Sequence, residues 1–267
     1  MNKVYQCFPG GKFKALTMSY DDGREQDRRL ISIFNKYGVK GTFHLNSALF
    51  YDRFNRIKPE EIPELYKGHE ISCHTAHHPT IARCPLTNVL EEVLSDRREL
   101  EKLAGYPVRG LSYPNGSVTC DIEALLPMCG IRYSRAVETT GTFALPENPY
   151  RWQGTCHHNN RLMELGEQFV GLFKHQYLYL MYVWGHSYEF DDRNNWDLME
   201  DFCRLVGGRD DIWYCTNIEF MDAMDDFRNL QFSADNTFVF NPNCRDCWIR
   251  VNDAEPIRIP AGKQISL

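Results

Sequence analysis

The sequence predicts an α/β fold, a distorted (β/α)7 barrel followed by a small C-terminal antiparallel β appendage. Three observations predict it. Seven short β-like runs recur along the chain, helix-like segments separate most of them, and after about residue 230 the helix signal stops and alternating apolar residues take over. Strands alternating with helices imply a parallel sheet. About seven such units suit a shortened relative of the eightfold barrel, an open doubly wound sheet being the alternative. In either arrangement, chemistry belongs at the carboxyl ends of the strands.

The runs are KALTMSY (14–20), KGTFHLN (40–46), HEISCHT (69–75), RGLSYP (109–114), IRYSRAV (131–137), LYLMYVW (178–184) and DIWYCTN (211–217). Between them, DRRLISIFNKYG places Leu30, Ile33 and Phe34 on one helical face and ends at Gly38, a natural C-cap. TNVLEEVLSDRRELEKLAG offers Thr87 as N-cap, aligns Val89, Val93, Leu100 and Leu103, and stops at Gly105. The tail reads FVFN, CWIRVND and PIRIPAG, strands without a helix signal. The expected organisation is a barrel over residues 1–230 and an appendage over 231–267 packed on it, too short for a core of its own.

A chain of 267 residues can bury a substantial core. Its formal net charge of −6, with basic residues scattered, gives no reason to expect binding to nucleic acid or anionic lipid. MNKVYQCFPGGKFKALT contains no apolar core of signal-peptide length, so a cytoplasmic location is expected. YLYLMYVWG is about half the length of a spanning helix and reads as a buried strand, without membrane insertion. Ten dispersed cysteines read as reduced, mostly structural thiols, and the single CxxC of Cys244 and Cys247 as incidental.

Polar residues gather where the strands end. Asp21-Asp22-Gly23 closes the first, His44 and Asn46 the second, HTAHHP the third, SYPNG the fourth, Ser134-Arg135 the fifth and WGHSYEF the sixth. A barrel brings these into one bowl. His74 and His78 stand four apart, so one helical turn would put both imidazoles on one face, and a carboxylate from a neighbouring strand end completes a catalytic metal set with room for water. His77 points off that face and is not expected to bind. The adjacent acids suggest divided labour, one binding the cation and the other taking a proton from water. His186 suits a general acid or a core histidine, Trp184 a core position or a wall for a sugar face, and Arg135 an orienting cation or a partner for a helix carboxylate.

SYDDG, HTAHHP, SYPNG and WGHS, in that order over about residues 14–225, resemble the ordered motifs of the polysaccharide deacetylase family, carbohydrate esterase family 4. The resemblance implies a distorted sevenfold barrel and a hydrolase of carbon–nitrogen, non-peptide bonds. That activity would remove N-acetyl groups from an amino-sugar poly- or oligosaccharide with one divalent ion, zinc or similar. It makes Asp21 the general base, Asp22, His74 and His78 the metal ligands, and His186 the general acid. Thr75 would help set the metal-binding loop, the Asn115 amide would serve the oxyanion, and Tyr113 and Pro114 would shape the groove. The chain departs from the pattern at Ser112, where the family has an arginine that steadies the base; Arg109 and Arg135 are the candidate substitutes, and Arg135 is the choice. The family's acid and tryptophan that support the catalytic histidine are not recognisable in NPYRWQGTCHHN. The alternatives are a same-fold hydrolase of acetyl esters or small amides, and a sugar-binding protein with a weakened site.

Overall fold

In the computed structural model, which describes residues 2–52 and 54–267, the chain starts with β1 (Val4–Cys7) and then enters β2 (Lys14–Asp21), all of whose residues are buried. Burial on both faces is what a parallel strand between helices requires. Then follow α1 (Asp27–Tyr37), β3 (Gly41–Leu45), α2 (Ile62–Leu65), β4 (Glu70–Cys73), α3 (Leu86–Ala104), β5 (Gly110–Ser112), α4 (Cys120–Leu125) and β6 (Tyr133–Thr139). The second half contains β7 (Trp152–Gly154), β8 (Cys156–His157), α5 (Leu162–Val170), β9 (Tyr179–His186), α6 (Glu189–Asp192), α7 (Trp196–Val206), β10 (Ile212–Tyr214) and α8 (Asn217–Arg228).

Strand order in the parallel sheet is β7-β6-β5-β4-β3-β2-β9-β8. Only Thr155 separates β7 from β8. Its N–H donates to the Tyr182 carbonyl at 2.7 Å and its hydroxyl accepts from the Tyr182 N–H at 3.0 Å. Residues 152–157 therefore pair first with β6 and then with β9, completing the round as one split strand. The expected barrel is present, with one stave reassigned. DIWYCTN is not a stave: as β10 it pairs with Lys14–Leu16 of β2, alongside the ring. The stave it was expected to supply is WQGTCH, which lacks a β-branched run and is held as strand by neighbours. At Gly154 a Cβ would stand 2.7 Å from Trp184 Cδ1, so only glycine lets the strand lie this close.

The helices bury the expected faces. Leu30, Ile33 and Phe34 of α1 are buried, and Gly38 caps it in the left-handed region at φ 68°. Thr87 does not cap α3. The preceding Pro85 holds the extended lead-in with φ −56°, and the helix already includes Leu86.

Past α8 come β11 (Gln231–Phe232), β12 (Phe238–Phe240), β13 (Cys247–Val251), β14 (Ile257–Ile259) and β15 (Gln264–Ser266), in two antiparallel sheets ordered β1-β13-β14 and β11-β12-β15. The N-terminal strand β1 thus pairs with β13, joining the two ends of the chain. All ten cysteines are unpaired, and no helix among the described residues is long and apolar enough to cross a membrane.

Candidate active site

Asp21 is the last residue of β2, and Asp22 (φ 81°) and Gly23 (φ 60°) turn sharply through the left-handed region. This reversal sends the two carboxylates apart. Asp21, 3% exposed, points into the barrel, where Oδ1 accepts from Ser112 Oγ at 3.0 Å and Oδ2 from Arg135. Asp22 is half-buried, with Oδ1 3.9 Å from His78 Nε2. Its carbonyl accepts from Arg56, whose Nε is fixed on Asp52 at 2.9 Å.

The loop after β4 carries the histidines, and its geometry corrects the expected reason for their meeting. Residues 74–78 are not helical; Thr75 (φ 62°) and His78 (φ 57°) are left-handed, which is costly for a β-branched residue and needs outside support. Asn46 Nδ2 donates to the carbonyls of His74 at 2.7 Å and Thr75 at 2.9 Å, and buried Asp96 accepts from the N–H of His74 at 3.0 Å and of Ser47 at 2.8 Å. His77 turns outward onto Glu92 at 2.9 Å.

Ligand atoms of Asp22, His74 and His78 all lie within 4.8 Å of one another. His74 Nδ1 is 2.9 Å from the Ser112 carbonyl, which can only accept, so Nδ1 bears the proton and Nε2 presents its lone pair. Burial, opposed by the charges of Asp21 and Asp22, lowers the His74 pKa to about 4 and keeps the ring neutral at pH 7. A neutral imidazole with a free Nε2, a second histidine and a carboxylate form a donor set that fits a zinc-type cation.

Arg135 comes from β6 with its side chain fully buried and its guanidinium 4.3 Å from the Trp184 ring centre. Burial alone would raise Asp21, but Arg135 and then His74 outweigh it and hold this carboxyl well below the usual range. Arg109 precedes β5 and lies at the opposite end of that strand, pairing with Asp222 at 2.9 and 2.8 Å. Ser112 offers no charge but links the two halves of the site, donating to Asp21 while its Oγ lies 2.7 Å from His74 Nδ1.

His186 stands opposite Asp21 in the β2–β9 register. Its Nδ1 is 2.7 Å from Glu189 Oε1. Burial would lower its pKa, but the Glu189 hydrogen bond and the charges of Asp21 and Asp22 prevail and raise it. Glu189 Oε2 accepts from Asn159 Nδ2 at 2.6 Å and lies 3.4 Å from His157 Nε2 and 3.1 Å from His158 Nε2. Despite its own burial, these histidines hold the Glu189 carboxyl well below the usual range. His157, His158 and Glu189 are close enough to suggest a second cation site. However, the Asn159 N–H donates to His157 Nδ1 at 3.2 Å, so Nε2 of that ring carries the proton and faces the carboxylate as a donor. The cluster is a hydrogen-bonded carboxylate that braces His186.

The remaining expected residues are less directly placed. Tyr113 and Pro114 are buried, and the Tyr113 hydroxyl donates to the Tyr150 carbonyl at 2.6 Å, so neither side chain walls a groove as expected. They support the turn that exposes Asn115 at φ 56°. His44 is buried beneath the site between Ser19 and the Cys73 carbonyl, and Trp184 is 8% exposed under Arg135. Glu189, His157, His158, Arg56 and Asp96 were not anticipated in these positions, and Ser112 was expected only as the residue standing where the family has an arginine, not as a donor to Asp21. Only Glu189 left a local signal, lying three residues after His186 at a helix start.

Residues 9–134 match the sequence profile of the family described as polysaccharide deacetylase. A peptidoglycan-N-acetylglucosamine deacetylase of Bacillus cereus is 27% identical over 124 residues, 44% of this chain and 42% of that protein. The chain thus spans less than half the length of this curated relative. Among solved structures, an allantoinase, PuuE, superposes with TM-score 0.63 at 14% identity, over 80% of this chain and 91% of that one. The peptidoglycan deacetylase PdaC from Bacillus subtilis gives 0.54 at 16% identity, over 82% and 94%. At these identities the two structures show a shared fold. The matched segment, residues 9–134, contains β2 to β5 and with them Asp21, Asp22, His74, His78 and Ser112, and it is this half of the site that is similar to the polysaccharide deacetylase family.

Proposed function

We propose that this protein is a metal-dependent deacetylase that hydrolyses N-acetyl groups of an amino-sugar poly- or oligosaccharide. The observation that carries this reading is the separation of two consecutive carboxylates, Asp22 into a group with His74 and His78, Asp21 into a buried pair with Arg135 facing His186. A divalent ion held by Asp22, His74 and His78, zinc being the natural choice for such a set, supplies a Lewis-acidic centre that acidifies water and polarises the acetyl carbonyl.

The protein's own groups do the rest. Asp21, kept ionised by Arg135, takes the proton of the attacking water. Arg135 and the Ser112 hydroxyl fix its carboxylate from two sides, so its orientation is set before substrate arrives. The Asn115 amide, on a turn supported by Tyr113 and Pro114, stabilises the oxyanion of the tetrahedral intermediate. His186, whose raised pKa favours the protonated ring, delivers a proton to the departing amine, with Glu189 fixing its orientation. In this reading residues 1–230 carry the chemistry and residues 231–267 are an appendage.

The test is acetate release from N-acetylglucosamine oligomers by the zinc-loaded protein, with xylan esters and small cyclic amides assayed in parallel. Turnover of the oligomers that disappears in Asp21→Asn supports the proposal. Turnover confined to the esters or amides replaces the substrate class, and oligomer turnover that survives Asp21→Asn removes the base assignment.

A further inference from the structure

Arg24 follows Asp21-Asp22-Gly23 directly and is half-buried. Its guanidinium carbon lies 4.6 Å from the Phe54 ring centre and 4.9 Å from that of Tyr188. Tyr188 in turn stands 5.3 Å from the His186 ring, so Arg24 is one aromatic ring away from the residue assigned as acid. The neighbouring charges are otherwise engaged. Arg56 is committed to Asp22 and Asp52, Arg135 to Asp21, and the nearest acid in sequence, Glu25, accepts from Asn55 Nδ2 at 3.3 Å. No carboxylate among the described residues lies within ion-pair distance of Arg24, while Asp21, Asp22 and Glu189 give the bowl three acids.

A guanidinium resting on aromatic rings keeps the N–H groups around its edge free, and those groups form a planar fork matched to a carboxylate. The rings restrict its motion, so less side-chain entropy is lost when an anion docks. We propose that Arg24 is a specificity-determining residue that binds a carboxylate on the sugar next to the acetylated one, making the natural substrate an acidic glycan. The inference rests on the deacetylase reading for the nature of the substrate, but its test does not depend on turnover.

Two oligosaccharides of equal length are compared by calorimetry, one of N-acetylglucosamine alone and one alternating N-acetylglucosamine with glucuronic acid. Binding is measured to the zinc-loaded Asp21→Asn protein, so that neither is consumed. The acidic oligomer should bind about tenfold more tightly, as one charge-assisted hydrogen-bonded pair at a half-exposed site allows. Adding Arg24→Gln should bring the ratio to about one, and Arg24→Lys should keep part of it. Metal content and melting temperature of each variant establish that it is folded and loaded. Equal binding of the two oligomers, or a preference that survives Arg24→Gln, overturns the inference. Failure of the deacetylase reading shows separately, as absence of acetate release by the protein with Asp21 intact.

Discussion

Arg135 on β6 and Asp21 on β2 form an ion pair whose side chains are 0% and 3% exposed, between strands that are not neighbours in the sheet. Breaking such a pair from one side leaves an unpaired buried charge and costs about 3–5 kcal/mol. Arg135→Ala should therefore lower the melting temperature. It should also raise the Asp21 pKa and move the acid limb of the kcat/KM profile to higher pH. An unmoved acid limb in a folded, active Arg135→Ala protein would remove the orienting role.

The donor set predicts one divalent ion per chain. Elemental analysis should find that ion in the wild type and lose it in His78→Ala or Asp22→Ala, with a lower melting temperature because metal binding stabilises the folded state. His157→Ala should leave the stoichiometry unchanged, since that ring directs an N–H at Glu189. Two ions per chain in the wild type, one of them lost in His157→Ala, would show that the second cluster is a metal site after all.

Glu189→Gln removes the charge that keeps the His186 pKa raised. A general acid must be protonated to act, so its activity fades as pH rises through its pKa. Lowering that pKa should bring the alkaline limb of kcat to lower pH and reduce kcat by about 10²–10⁴, with a smaller change in KM. If kcat and both limbs stay in place, Glu189 only packs against His186.

Asp27, 1% exposed, accepts from Tyr66 Oη at 2.7 Å and Ser187 Oγ at 2.5 Å, and burial raises its pKa from 3.8 to about 7. Between those values the folded state keeps a proton that the unfolded state has released. The contribution to stability is full below about 3.8 and is lost as pH rises through about 7. Asp27→Asn cannot ionise, so its melting temperature relative to wild type should rise between pH 5 and pH 8. Parallel curves for the two proteins would mean that Asp27 does not titrate in this range.

Much of the fold and part of the site could be read along the chain because both rest on local patterns. Alternating strand and helix periodicities identified six staves, and SYDDG and HTAHHP located the acids and histidines at strand ends. What could not be read depends on contacts between distant segments. WQGTCH is a strand because β6 and β9 hold its two halves, although its composition lacks the usual strand signal. His74 and His78 meet through left-handed residues supported by Asn46 and Asp96, with no helical turn between them.

Residue types at strand ends follow from the sequence alone, since strand direction dictates which end of the barrel they reach. Which charge answers which was decided only in three dimensions. Arg109 precedes β5, whereas Arg135 on β6 lies opposite Ser112, the last residue of β5, so closing the sheet gives Asp222 to one and Asp21 to the other. Glu189 meets His186 locally, three residues on, but only the split strand brings His157 and His158 against its other oxygen. Coulombic and hydrogen-bond energies fall steeply with separation, and only the tertiary fold sets separations between residues far apart in the chain.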